Sequence, residues 1–397
     1  MPFQQRAGLM RKSLLLMAAL AVFGCGGSDS NNFNAGSLPV AKIGVIAPLQ
    51  AGLTDFGKGI RNSVQLAVDQ ANASGRFQVR FVVDARDDSS TPSVGLAAAQ
   101  SLAADPSVIG VVGTYNSGVA SSVQPVLASA GIVMISPGNT NPTLTLGPDT
   151  SNPVRPFTNY FRLVVPDSIQ GSELGDYAYN VLNVRKVAVV SEDKAVSLAL
   201  VDAFTTKFTG LGGTVAIRSV FPDPTTDFTS VISDVKKTSP ELIVFGGEYA
   251  TAAPFRAQAT TQGLTAPLMG SDGIKDQAYI TAAGAASAGD YASSVGAPIA
   301  NQPGGAQFLS AYQSAGFGEP PSDFGPYAFD AAALIIGAVQ RRGIDRAAVI
   351  SEVQGVNASG VTGTLSFDAF GDTRNKVVTL YRVEGGVFVP KNTVIVP

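Results

Sequence analysis

From Val40 onward, short apolar runs alternate with segments of helical period, and near Arg185 the alternation begins again. Lys42–Pro48 (KIGVIAP) reads as a first strand. In Gly57–Ser74, Ile60, Val64, Ala67 and Ala71 recur at spacings of three and four, and Gly75 is a helix stop. A strand follows over Phe77, Val79, Phe81 and Val83, then an Ala-rich helix over Val94–Ala104, then strands at Val108 and Ile132. Strands that alternate with helices form right-handed βαβ units, and a sheet covered by helices on both faces has continuous apolar strands. Arg185–Ser191 (RKVAVVS) echoes Ala41–Ala47 (AKIGVIA), and each is followed by a helix. Strands at Gly213–Phe221 and Glu241–Gly246 alternate with helices at Thr226–Thr238 and Ala250–Gly263, and Leu268–Gly270 leads into the loop Ser271–Gly273. The chain is therefore expected to be α/β, with two lobes built to one plan.

Further extended stretches at Asn159–Val165 and from Tyr291 predict that the chain crosses between the lobes more than once. Helices near Gly304–Ala315 and Tyr327–Arg342 come next, then a β-rich tail with Thr364–Asp368 and Lys376–Val383. Repeated crossing makes a hinge, and ligands commonly bind between domains. At 397 residues there is length for two substantial cores.

Composition narrows the chemistry. The chain has no His and a single Cys, Cys25. The usual Ser–His–Asp and Cys–His nucleophilic arrangements, and zinc held by His or Cys, are excluded. No P-loop or dinucleotide fingerprint occurs, so the chain reads as a binder, not an enzyme, and implies no cofactor and no metal. A net charge of −3 offers no basic footprint for nucleic acid.

Arg6, Arg11 and Lys12 precede the apolar run Ser13–Gly24, which ends at Cys25. A basic start and a core of about a dozen apolar residues match an export signal, too short for an ordinary membrane span. The Cys after that core resembles the lipobox of bacterial lipoproteins, although Phe23 is bulkier and Val22 less usual than that pattern prefers. Residues 1–25 are thus expected to be a lipoprotein-type signal peptide and 26–39 a flexible tether.

The ligand chemistry lies in loops. Val108–Gly118 (VIGVVGTYNSG) and Gly131–Thr145 (GIVMISPGNTNPTLT) each run from a buried apolar strand into Gly, Ser, Thr and Asn. Small polar loops beyond the strand ends of a parallel sheet are where such sheets present groups to ligands. Ser117 opens a helix-like segment, where unpaired N–H groups attract a carboxylate; it is equally well an N-cap. Pro125 limits that helix's regularity. Thr140 offers a hydroxyl and Gly138 a bare carbonyl, though Thr140 and Asn141 also suit a turn before Pro142. Asp272, in the turn Gly270–Gly273 (GSDG), is the candidate partner for an ammonium or simply a turn residue.

These segments, with Ile46–Gly57 (IAPLQAGLTDFG), FGGEYA and MGSDG, resemble in order and spacing the periplasmic binding proteins of branched-chain amino acid ABC transporters. The resemblance covers Val40–Val389. It implies the type I fold, two Rossmann-like lobes joined by a three-stranded hinge, with residues 40–163 plus 297–373 in one lobe and 164–296 plus 374–397 in the other. It implies Ser117 and Thr140 on an α-carboxylate, and Gly138 C=O and Asp272 on an α-ammonium. Phe56 stands where the family lines its side-chain pocket, and Tyr115, Asn116 and Asn139 flank the carboxylate residues. In the second lobe Ser197 replaces a usual tyrosine and Glu248, followed by Tyr249, a usual aromatic. Glu248 meets a ligand group, turns to solvent or pairs with Lys194. The implied role is a monomeric, extracytoplasmic, lipid-anchored substrate-binding protein that holds an amino acid or small polar ligand and is recognised by an ABC permease. An exported ligand sensor of the same fold is the alternative.

Overall fold

A computed structural model describes residues 38–396. The expected signal peptide, the lipobox Cys25 and nearly all of the tether lie outside the described residues. The chain opens β1 (Val40–Ala47), α1 (Thr54–Ala73), β2 (Arg80–Asp87), α2 (Pro92–Ala103), β3 (Val108–Gly113), α3 (Ser117–Ser129), β4 (Val133–Ser136), α4 (Thr143–Leu146) and β5 (Tyr160–Arg162). These strands form one sheet in the order β2-β1-β3-β4-β5, with every pairing parallel. β3 and β4 are buried at every position, which is why they read as unbroken apolar runs.

The second round gives α5 (Asp167–Asp176), β6 (Lys186–Glu192), α6 (Ala195–Gly210), β7 (Thr214–Phe221), α7 (Thr229–Lys237), β8 (Leu242–Gly246), α8 (Tyr249–Thr261), β9 (Leu268–Gly270), α9 (Gln277–Ala283) and β10 (Tyr291–Ser294). The chain continues with α10 (Gly305–Ser314), α11 (Gly325–Arg342), α12 (Arg346–Gln354), β11 (Ala358–Ser359), β12 (Thr364–Leu365), β13 (Val377–Glu384) and β14 (Val387–Ile395). The second sheet runs β14-β13-β10-β9-β8-β6-β7. β13 and β14 are antiparallel additions; β7-β6-β8-β9-β10 repeats, strand for strand, the order of the first sheet.

In both sheets the order reverses at the first strand of the round, β1 beside β3 and β6 beside β8. A crevice opens at such a switch point beyond the carboxyl ends of the strands. The chain leaves the first sheet after Arg162, leaves the second after Ser294, and returns to it at Val377.

Several local expectations shift. The strand read over Phe77–Val83 lies at Arg80–Asp87, because pairing with β1 matches Val40 to Arg80 and Ala47 to Asp87. Phe77 instead meets Phe81 edge-on, with ring centroids 5.2 Å apart. The TLSFD strand shrinks to Thr364–Leu365 plus a bridge from Phe367 to Thr373. α3 continues through Pro125 for thirteen residues. Part of Asn159–Val165, read as a crossover, is the edge strand β5, which pairs with β4.

Arg162 at the end of β5 is completely buried. Its Nε donates to Asp372 Oδ1 at 2.5 Å, and its two terminal nitrogens donate to Asn141 O and Thr145 Oγ1, both at 2.7 Å. One guanidinium thus ties the loop after β4 to the last crossover.

Candidate functional site

The loops after β3 and β4 meet the loops after β6, β8 and β9 across a cleft. Its walls hold Tyr115, Asn116, Ser117, Gly138 and Thr140 from the first sheet and Ser197, Glu248 and Asp272 from the second. Asp167, Ser271 and Gly273 complete the polar lining, and Val196 and Leu200 supply apolar surface.

The first-sheet half is built from braced loops. The Ser136 hydroxyl donates to Thr114 O (2.9 Å) and accepts from Asn139 N (2.8 Å), fixing the turn that presents Gly138 and Thr140. Asn116, not Ser117, is the N-cap of α3, and its side chain makes no capping bond. The first-turn amides of the helix therefore have no side-chain cap, and they favour an anion by hydrogen bonding and by the helix dipole. Ser117 Oγ accepts from Asn141 N at 3.2 Å, which leaves its proton to donate.

The opposite half is acidic. Asp272 is 5% exposed, and its Oδ1 accepts from Gln170 Nε2 at 2.9 Å. Gln170 Oε1 in turn accepts from the Ser293 hydroxyl at 2.8 Å, so β10 and α5 together hold the carboxylate in place. Burial pushes the Asp272 carboxyl up to about 6, with the Gln170 bond opposing. Asp167 opens α5 and is 1% exposed; its Oδ2 has no hydrogen-bond partner. Burial first, then the charge on Asp272, push the Asp167 carboxyl well above the usual range, against the pull of the Thr140 hydroxyl and Arg162. Two buried carboxyls so placed gain most from a cation.

Glu248 takes the pairing reading. Its Oε2 lies 2.9 Å from Lys194 Nζ, and its Oε1 accepts from Asn116 Nδ2 at 2.6 Å across the cleft. The pair joins the two sheets, as does the Tyr249 hydroxyl donating to Gly52 O at 3.3 Å.

Three expected contacts are placed elsewhere. Asn139 is fully buried behind the wall; its Nδ2 donates to Tyr115 O (2.7 Å), and its Oδ1 accepts from the Tyr160 hydroxyl (3.1 Å). It braces the loop, because both its amide nitrogen and its amide oxygen are bonded to neighbouring loop and strand residues. Phe56 is fully buried at the centre of an aromatic cluster with Tyr115, Tyr249 and Phe324, at centroid distances of 4.8, 5.2 and 5.0 Å. Phe56 and Tyr249 therefore back the wall and do not line it.

Sequence reading missed Asp167 and Gln170. The available signal was an Asp directly after the apolar crossover and Pro166, at the start of a helix. Among the described residues there is no cluster of His, Cys, Asp or Glu suited to a metal, and no helix long and apolar enough to cross a membrane.

Comparison with known proteins agrees with the fold. A family profile described as periplasmic binding protein matches residues 40–387. A Leu/Ile/Val-binding protein homolog of Brucella abortus is 29% identical over 335 residues, covering 83% of this chain and 86% of the relative. A leucine binding protein of Thermotoga maritima superimposes with a TM-score of 0.81 at 24% identity, over 89% of this chain and 99% of that one. A branched-chain amino acid transporter substrate binding protein of Streptococcus pneumoniae, solved with isoleucine, gives 0.79 at 25% identity, over 90% and 99%.

Proposed function

Because the chain belongs to the periplasmic binding protein family, we propose that it is the extracytoplasmic solute-binding component of an ABC importer, holding an amino acid in the cleft between its two sheets. One observation carries the ligand class. The uncapped N-terminus of α3, with the Ser117 hydroxyl, faces two buried carboxyls, Asp167 and Asp272. A ligand with one carboxylate and one ammonium satisfies both sides. An aromatic carboxylate without a cation leaves two buried acids unanswered.

In this reading Ser117, Thr140 and the α3 amides hold the α-carboxylate. Gly138 C=O, Asp272 and Asp167 receive the ammonium. Ligand contacts on both sheets favour the closed cleft, since only a difference in contact between states shifts a population. The role is capture without turnover, by a monomer whose closed face a membrane permease recognises. Cys25 is the proposed lipid attachment point and the segment after it the tether.

Isothermal titration of the purified protein with a panel of amino acids and small carboxylates tests the reading. Asp272→Asn keeps the Gln170 bond and removes the charge. It should weaken amino-acid binding about tenfold or more, the scale of a lost charge-assisted hydrogen bond. Unchanged affinity sinks the ammonium assignment, and a panel in which only carboxylates without an amine bind sinks the ligand class.

A further inference from the structure

The space that receives the α-carboxylate and ammonium is small, about 40 Å³. On its aromatic side the wall is filled by Phe56 and the rings packed around it. Beyond the Asn116–Glu248 hydrogen bond, however, lies a second cavity of about 270 Å³. Asn116, Ser117, Val196 and Glu248 line both spaces. The partition is one hydrogen bond between two rotatable side chains, one from each sheet.

Asp223 and Glu248 line the second cavity beside Lys194, and Glu192 and Asp88 stand behind its wall, so acceptors are in surplus there. Lys194 Nζ is shared by Glu248 (2.9 Å), Glu192 (3.1 Å) and Asp223 (3.1 Å), so three carboxyls surround one cation. Asn116 Oδ1 and Ser90 Oγ are buried without partners. Beside Ser90, whose amide donates to its Oδ1 at 2.9 Å, Asp88 is completely buried with Oδ2 unpartnered. Unpaired buried acceptors and uncompensated negative charge are both costly, and one N–H-rich cation relieves both.

We propose that this second cavity is the side-chain subsite and selects an amino acid whose side chain ends in a cationic, N–H-donating group, a guanidinium or ammonium, which replaces Asn116 on the Glu248 carboxylate. The inference rests on the amino-acid reading above: the α-groups sit in the small space and the side chain displaces the partition.

The experiment is calorimetric titration of the full chain with L-arginine, L-lysine, L-leucine, L-glutamate and L-alanine, with Glu248→Gln as the variant. Arginine or lysine should bind at least about tenfold more tightly than leucine or glutamate, the margin expected of a charge-assisted contact. Glu248→Gln should cost the basic ligand about that margin relative to alanine, so that the arginine-to-alanine affinity ratio falls about tenfold whatever happens to alanine itself. A preference for leucine, or for glutamate on Lys194, overturns this inference while the amino-acid reading survives. Failure of every amino acid to bind overturns both. The ranking on the unsubstituted protein decides even if Glu248→Gln does not fold.

Discussion

Asp272 and Asp167 are expensive residues to bury, and in the proposed site a bound ammonium offsets the expense. In the proposed site, amino-acid binding needs Asp272 ionised, and burial raises its carboxyl to about 6. Amino-acid affinity should therefore be level above about pH 7 and fall progressively below pH 6, approaching a tenfold loss per pH unit for one required deprotonation. Titration across pH 5–8 in one buffer series measures this, and a flat profile contradicts an ionised Asp272 as the ammonium's partner. At this scale the polar residues placed directly after apolar runs were legible, since the loops beyond the strand ends of a parallel sheet are where it presents polar groups. Ser117, Thr140 and Asp272 all line the cleft. Asn139 and Phe56 carry the same local signature, but which way a side chain faces depends on what is packed around it. Asp167 and Gln170 open a helix whose start after Pro166 was readable, but that its first turn borders the cleft depends on loops far along the chain.

At the scale of elements, the site depends on how closely α5 approaches α6. α5 brings Asp167 and Gln170, and α6 brings Ser197. Gly171 lies at the crossing, where an added Cβ would stand 2.4 Å from Leu200 O and 2.8 Å from Ala203 Cβ. Neither atom is the end of a flexible side chain, so the helices must separate. Gly171→Ala should lower stability by about 1–3 kcal/mol, as overpacking does, and weaken amino-acid binding as well. Denaturant unfolding and titration of one preparation check the two effects together; wild-type values for both would show that the contact is not tight. Element types were readable because burial on both faces makes β3, β4, β6 and β8 continuous apolar runs, while helices keep a period near 3.6. Boundaries such as that of β2 were not, because the partner strand sets register.

For the whole molecule, burial raises the carboxyls of Asp88 to about 7 and of Asp272 and Asp276 to about 6. In the unfolded chain all three titrate near 3.8. Between pH 7 and pH 5 the folded protein thus binds more protons than the unfolded one, and stability from these groups rises as pH falls. The unliganded melting temperature should climb from pH 7 to pH 5, while the increase produced by a saturating amino acid shrinks over the same window. Thermal unfolding with and without ligand at several pH values gives both curves. An unliganded melting temperature that drops across this range contradicts the buried-acid account.

The sequence by itself determined the α/β class, the doubling of the plan and the polar loops that line one wall of the cleft. Those follow from local periodicity and from polar residues that must sit at strand ends. Tertiary structure alone decided that both sheets share one strand order, so that their switch points face each other. It also decided that Glu248 reaches Asn116, and that two carboxyls converge opposite α3. These are contacts between residues far apart in the chain, settled by packing and by the pairing of buried charge, and no local pattern encodes them.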